Sequence, residues 1–259
     1  WRERFRHDLP GFAQVPVADL EALDAAVGDD TAAVILETIP ATLGMPLPPA
    51  GYLRAAGELC RARGALLVLD EVQTGLGRCG TFWAHEQDEA EPDIVTTGKG
   101  LSGGIYPIAA TLMRPEIHAL FEEDPFVHIS TFGGAELGCI AALKCLEITI
   151  RPETRLGVHY IADVVGEGLA RIADDNPGFF TGVRQNGVIF GLEFPHPDGA
   201  KYVMRELYQL GVWAIFSTLD SSVLQYKPGI LMTPELCEEL LDRTGLAISR
   251  AAKAYASQR

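Results

Sequence analysis

LLVLDEVQTGLGRCG at 66–80 and DIVTTGKGLSGG at 93–104 decide the fold between them. Each opens as a short apolar run and closes on a polar residue among glycines. Such runs, bounded by turn residues, are buried parallel strands. In an open α/β sheet, the residues that emerge at the C-terminal strand edge face the ligand crevice. Asp70 and Lys99, 29 positions apart, are thereby expected at one crevice. Gly98, Gly100, Gly103 and Gly104 let the backbone bend close to a bulky ligand.

Upstream, DTAAVILE at 30–37 reads as another strand. TIPATLGMPLPPAGY, with four prolines and two glycines, reads as a loop at the same sheet edge. YLRAAGELCRARG at 52–64 reads as a helix stopped by Gly64, with arginines at its C-terminal end to suit the dipole. The succession is a βαβ unit. Before it, the charged opening WRERFRHDLP leads into VADLEALDAAV, apolar at helical spacing.

Downstream, IAATLMR is a strand, RPEIHALFEE a helix and HISTFGG a return to the crevice. GAELGCIAALKCLEITI reads as a long buried helix closing the first domain. The aromatics of TFWAHEQ fit packing as well as ligand contact. From about residue 150 the pattern becomes α+β. PETRLGVHYIADVVGEGLARIADDN is an amphipathic helix, and TGVRQNGVIFGLEF a hairpin turning at QNG. AKYVMRELYQLG is a helix, and GVWAIF and VLQYKPG are short strands. TPELCEELLDRTGLAISRAAKAYA is a terminal helix with Thr233 as N-cap. The expected division is a large domain over 1–152 and a small α+β domain over 153–259.

The 259 residues are 47% apolar, enough for a substantial core. A net charge of −14 argues against nucleic acid or an anionic membrane as partner. No apolar run reaches transmembrane length, and WRERFRHDLP does not read as a signal peptide. Cys60, Cys79, Cys139, Cys145 and Cys237 are an odd number without close pairs, so free thiols in a cytoplasmic setting are expected. The six histidines show no metal-ligand spacing, and no metal site is expected.

A carboxylate and an amine that converge suit one cofactor in particular. Pyridoxal 5′-phosphate needs a lysine for a Schiff base and an acid to keep its ring nitrogen protonated. The surrounding residues strengthen the assignment. DTAAVILE, LLVLDEVQTGLGRCG, PDIVTTGKGLSGG and STFGG at 130–134, in this order and spacing, resemble the class III aminotransferases, pyridoxal-phosphate enzymes of fold type I. Weaker similarity runs on from VRQNGVIFGLEF to the C-terminus.

The resemblance implies an α/β fold type I large domain and a small α+β domain. It implies that Asp70 pairs with the pyridine nitrogen, Val72 packs on a ring face and Gln73 hydrogen-bonds the phenolic oxygen. It further implies that Lys99 forms the internal aldimine, and that Thr131 hydrogen-bonds the cofactor phosphate of the neighbouring subunit in a homodimer. A threonine hydroxyl at a helix start suits an anion; the plainer expectation for Thr131 is an N-cap. The implied reaction moves an amino group between an amine or amino acid and a keto or aldehyde acceptor.

The chain departs from the family in several places. It shows no counterpart of the family's Gly/Ser phosphate-binding turn or of its ring-stacking aromatic, and so looks like the C-terminal part of a longer enzyme, as a fragment or a naturally shortened protein. Thr42 and Gln225 stand where many members carry a paired Glu and Arg, the Arg serving the substrate carboxylate. This predicts a neutral pocket for amines without an adjacent carboxylate, unless another arginine such as Arg78 or Arg184 substitutes. Ala135 stands where the family often has Asn.

Three rival readings remain. A magnesium-dependent nucleotide hydrolase is suggested by LLVLDE and TGKG, but Asp93 and Gly100 break the phosphate-loop pattern. A shortened non-catalytic interaction subunit is the second. A racemase, decarboxylase or aminomutase using the same cofactor is the third.

Overall fold

The computed structural model describes residues 11–256; the opening WRERFRHDLP and the last three residues lie outside the described residues. Helix α1 (Leu20–Ala26) starts at Asp19, whose carboxylate accepts a hydrogen bond from Ala22 N at 2.9 Å. It precedes strand β1 (Ala33–Glu37). The proline-rich stretch that follows is a loop but for one 3-10 turn, Ala41–Leu43, ended by Gly44 at φ +85°. Helix α2 (Tyr52–Arg63) ends at Gly64, whose φ of +72° is the left-handed conformation that stops a helix.

Strands β2 (Leu66–Asp70), β3 (Ile94–Thr97) and β4 (Ala110–Met113) complete a sheet of order β1-β2-β3-β4. β1, β2 and β3 are parallel, and β4 closes the edge antiparallel to β3. The two-residue period of a strand sorts its side chains. Leu67 and Leu69 are buried with Val34, Tyr52, Leu53, Ala56 and Cys60 against α2. A fully buried leucine contributes about 1.5–3 kcal/mol relative to exposure. The alternate positions carry Asp70 on the opposite face. The register pairs Glu37 with Asp70 and Asp70 with Thr96, so three polar residues stand abreast at the C-terminal edge.

Helix α3 (Pro115–Glu123) and helix α4 (Glu136–Thr149) follow. The expectation that α4 is a buried helix is corrected. Gly138, Ala142 and Thr149 are its buried residues, while Leu137, Ile140 and Leu143 are 62–66% exposed. Apolar residues surround this helix, and the described chain covers one side of it.

Helix α5 (Pro152–Asp175) leads into an antiparallel sheet of order β5-β6-β8-β7. Its strands are β5 (Gly182–Asn186), β6 (Ile189–Glu193), β7 (Ile215–Ser217) and β8 (Asp220–Tyr226). Helices α6 (Gly199–Gln209) and α7 (Pro234–Ala256) pack with α5 around a second core containing Val165, Leu169, Phe190, Leu192, Leu224 and Ile248. Thr233 caps α7, its hydroxyl accepting from Leu236 N at 3.4 Å.

The hairpin turn falls on Gly187 and Val188, because Asn186 pairs with Ile189. Gly187 has φ +56°, and a Cβ there would lie 2.5 Å from Arg78 O. Val188 N donates to that same carbonyl at 2.9 Å. A small cluster of Ile39, Ala41, Met45, Cys79, Ala84 and Ile189 lies where hairpin, proline loop and the 70–85 loop meet.

Candidate active site

Asp70 ends β2, and the chain turns at once. Val72 N donates to Asp70 Oδ1 at 2.9 Å, and Oδ2 accepts no hydrogen bond among the described residues. Glu71, one residue on, points the other way and is 1% exposed. Its Oε1 accepts from His85 N at 2.9 Å and lies 3.0 Å from His85 Nδ1. Its Oε2 accepts from the Thr74 hydroxyl, which lies 2.5 Å from the Thr38 hydroxyl. A buried carboxylate needs such partners. The network ties both ends of the 71–85 loop to the end of β1, and so fixes where Val72 and Gln73 sit. His85 serves structure, as its lack of metal spacing suggests.

After β3 the chain passes Gly98 in extended conformation, φ −177°, and enters a 3-10 turn over Lys99–Ser102. Lys99 itself takes the left-handed conformation, φ +43°. A lysine gains nothing locally from that geometry, and such strain concentrates at functional sites. Gly103, at φ +57°, ends the turn. The lysine loop rests on Leu76, Leu101 and Ala142, with Phe82, Trp83 and Leu146 packed alongside. Those aromatics are packing; Trp83 lies close over Gly75.

A cavity of about 160 Å³ opens here, walled by Val72, Gln73, Lys99, Arg78, Cys145 and Lys227. A second, of about 320 Å³, adjoins it at Lys99, with Tyr106 and Ile108 on its wall. Lys99 therefore stands between two hollows. Withdrawal from water holds its pKa below the usual lysine value, against the pull of the Asp70 and Glu37 carboxylates.

Four of the five residues singled out from the sequence come together: Val72, Gln73 and Lys99 line the cavity, and Asp70 is close enough to act on Lys99 through its charge. Thr131 is apart from them. The expectation that it sits at a helix start is corrected: α4 is capped at Ala135, and Thr131 lies four residues earlier in an exposed turn closed by Gly133 N to Ser130 O at 3.2 Å. Ala135 provides no side-chain cap.

Beside the neutral Gln225, another residue is placed to supply charge. Lys227 Nζ donates to Gln225 Oε1 at 2.6 Å and to Gln73 Oε1 at 3.2 Å, which brings a cation into the cavity wall. Arg78 lines the same wall and donates to Pro228 O at 2.9 Å. Arg184 is engaged elsewhere, with Glu193 at 2.5 Å and with Gly44 O. The sequence shows Lys227 two positions after Gln225 but not where it points, because 154 positions separate it from Gln73. Among the described residues no group of three or more His, Cys, Asp or Glu side chains is placed to hold a metal, all five cysteines are free, and no helix is long and apolar enough to cross a membrane.

A mainly parallel sheet flanked by helices, with a lysine and a carboxylate at its C-terminal edge, defines an α/β fold with a polar crevice. The model of the class-III aminotransferase family matches residues 4–248, and the chain belongs to that family. It is 40% identical over 253 residues to an uncharacterized aminotransferase of Archaeoglobus fulgidus, covering 98% of this chain and 59% of the relative. Ornithine aminotransferase of Toxoplasma gondii, solved with partial occupancy of PLP at its active site, superimposes with a TM-score of 0.87 at 28% identity, over 95% of this chain and 57% of that one. N-acetylornithine aminotransferase of Stenotrophomonas maltophilia gives 0.83 at 32%, over 96% and 64%. The fold is therefore fold type I, and the chain spans about six-tenths of the length of these relatives.

Proposed function

We propose that the protein is a pyridoxal-phosphate-dependent aminotransferase, moving an amino group between an amine or amino acid and a keto or aldehyde acceptor. The observation that carries this reading is the convergence of Lys99, Asp70, Val72 and Gln73 at one sheet edge in a member of this family. The donor set suits the cofactor. Asp70 Oδ2 is free to hold a protonated ring nitrogen, and the Gln73 amide N–H groups are free to meet a phenolic oxygen. Val72 offers an apolar surface to a ring face. When bound, the cofactor supplies an electron sink.

Lys99 would be the residue that holds the cofactor, and its free amine would move the proton at the substrate carbon. A general base works best when its pKa lies near the operating pH, and the depressed pKa of Lys99 increases its neutral fraction.

The assembly we propose is a homodimer. Thr131 is exposed, away from this chain's own cavity, and suits the phosphate of a neighbour's cofactor. Phe126, Ile129 and Phe132 beside it, with the outer face of α4, form an apolar surface of the kind that marks an interface. A division into a cofactor-binding domain over 1–152 and a small domain over 153–259 follows the two sheets and their separate cores. The free cysteines suit a cytoplasmic location.

Borohydride reduction of the cofactor-loaded protein, followed by peptide mapping, tests the assignment. The expected label is on Lys99. A label on Lys144, Lys201 or Lys227 instead would remove Lys99 from its role.

A further inference from the structure

The cavity beside Lys99 holds a second amine with no anion of its own. Lys227 follows β8 directly, and the buried Pro228 fixes the chain after it. Its ammonium has three N–H donors. Two are spent on Gln225 and Gln73, both neutral acceptors. Among the described residues no carboxylate forms an ion pair with it. The third N–H is left for the cavity that Lys227 lines. A partly buried cation with only neutral partners gains from an incoming anion.

The surroundings strengthen this. Lys99 and Arg78 face Lys227 as like charges, and Glu37 is the carboxylate that acts on it most. Burial first, then Lys99 and Arg78, push the Lys227 pKa down to about 8. Three cations thus border one small cavity. Gln225 is buried and holds Lys227 at 2.6 Å, so the glutamine positions a neighbouring cation.

We propose that Lys227 binds a carboxylate of the amino-group substrate, so that the protein prefers an amino acid to the amine lacking that carboxylate. The inference rests on the aminotransferase reading above. The cofactor phosphate is the competing anion for the same N–H, and the two sources are separable by experiment.

The test uses the purified protein loaded with pyridoxal phosphate, and matched donor pairs: amino acids and the amines that lack their carboxylate. The readouts are the ratio of first half-reaction rates, the affinity for succinate as an unreactive carboxylate probe, and the affinity for the cofactor. Lys227→Gln is expected to lower the amino-acid-to-amine ratio roughly 10–100-fold, the worth of one charged hydrogen bond. Lys227→Arg is expected to restore most of it. The sign of the pH effect is fixed by the amine: only protonated Lys227 attracts an anion, so succinate binding should weaken as pH rises through about 8. In Lys227→Arg that dependence should vanish, because arginine stays charged.

An unchanged ratio in Lys227→Gln, with the cofactor spectrum intact, overturns the inference. Weaker cofactor binding with an unchanged ratio assigns Lys227 to the phosphate and also overturns it. Loss of the ratio in Arg78→Lys but not in Lys227→Gln transfers the role to Arg78. If the wild-type protein develops no cofactor absorbance, the aminotransferase reading falls and takes this inference with it.

Discussion

Asp70 and Glu71 are adjacent carboxylates held in opposite ways: one keeps an oxygen without a hydrogen bond among the described residues, and the other is enclosed by His85 and Thr74. Lys99→Ala should abolish the cofactor absorbance band and reduce turnover by at least about 10²–10⁴-fold, the range for loss of a positioned acid–base group. Asp70→Asn should keep that band and still lose most turnover, since an amide does not hold the ring proton. Absorbance spectra beside steady-state rates separate the two. Glu71→Leu should act on stability, costing about 2–4 kcal/mol by leaving the His85 N–H and the Thr74 hydroxyl short of a partner; a denaturant midpoint shows it. The sequence displayed Asp70 and Lys99 because each closes a readable strand. It did not display the task of Glu71, since a one-residue step in a strand reverses the face and nothing local says what waits there.

Among the elements, α4 and the β5–β6 hairpin carry the clearest consequences. Ala135 has the extended geometry of an N-cap, φ −52° and ψ 130°, without a side chain to cap with. Ala135→Asn should therefore stabilise the protein by about 0.5–2 kcal/mol, visible as a raised Tm. Gly187→Val should do the reverse by at least about 2 kcal/mol, through a strained positive φ and a clash with the Arg78 carbonyl. Strands, helix stops and the Thr233 cap were legible in the sequence because local chemistry sets them. The burial of α4 was not, because its apolar residues surround the helix and only tertiary contacts choose a side. The start of α4 was misplaced for a related reason: STFGG carries turn residues, and all five precede the cap at Ala135.

For the whole molecule, the exposed apolar surface of α4 and the 126–132 segment predicts assembly. Sedimentation of the cofactor-loaded protein should show a dimer and no active monomer. Ile140→Glu, a charge on that exposed face, should shift the protein toward monomer and lower activity with it. An active monomer at assay concentration would remove the cross-subunit role of Thr131.

The contact between Lys227 and Gln73 also bears on how the chain reaches its native state. It joins segments 154 positions apart, and closing so long a loop is slow compared with forming α2 or the β5–β6 hairpin. The cavity is thus complete only when this long-range pairing is made. In a refolding experiment, helical circular dichroism should recover first and cofactor absorbance last, so the spectrum of the bound cofactor becomes a clock for the final step of folding.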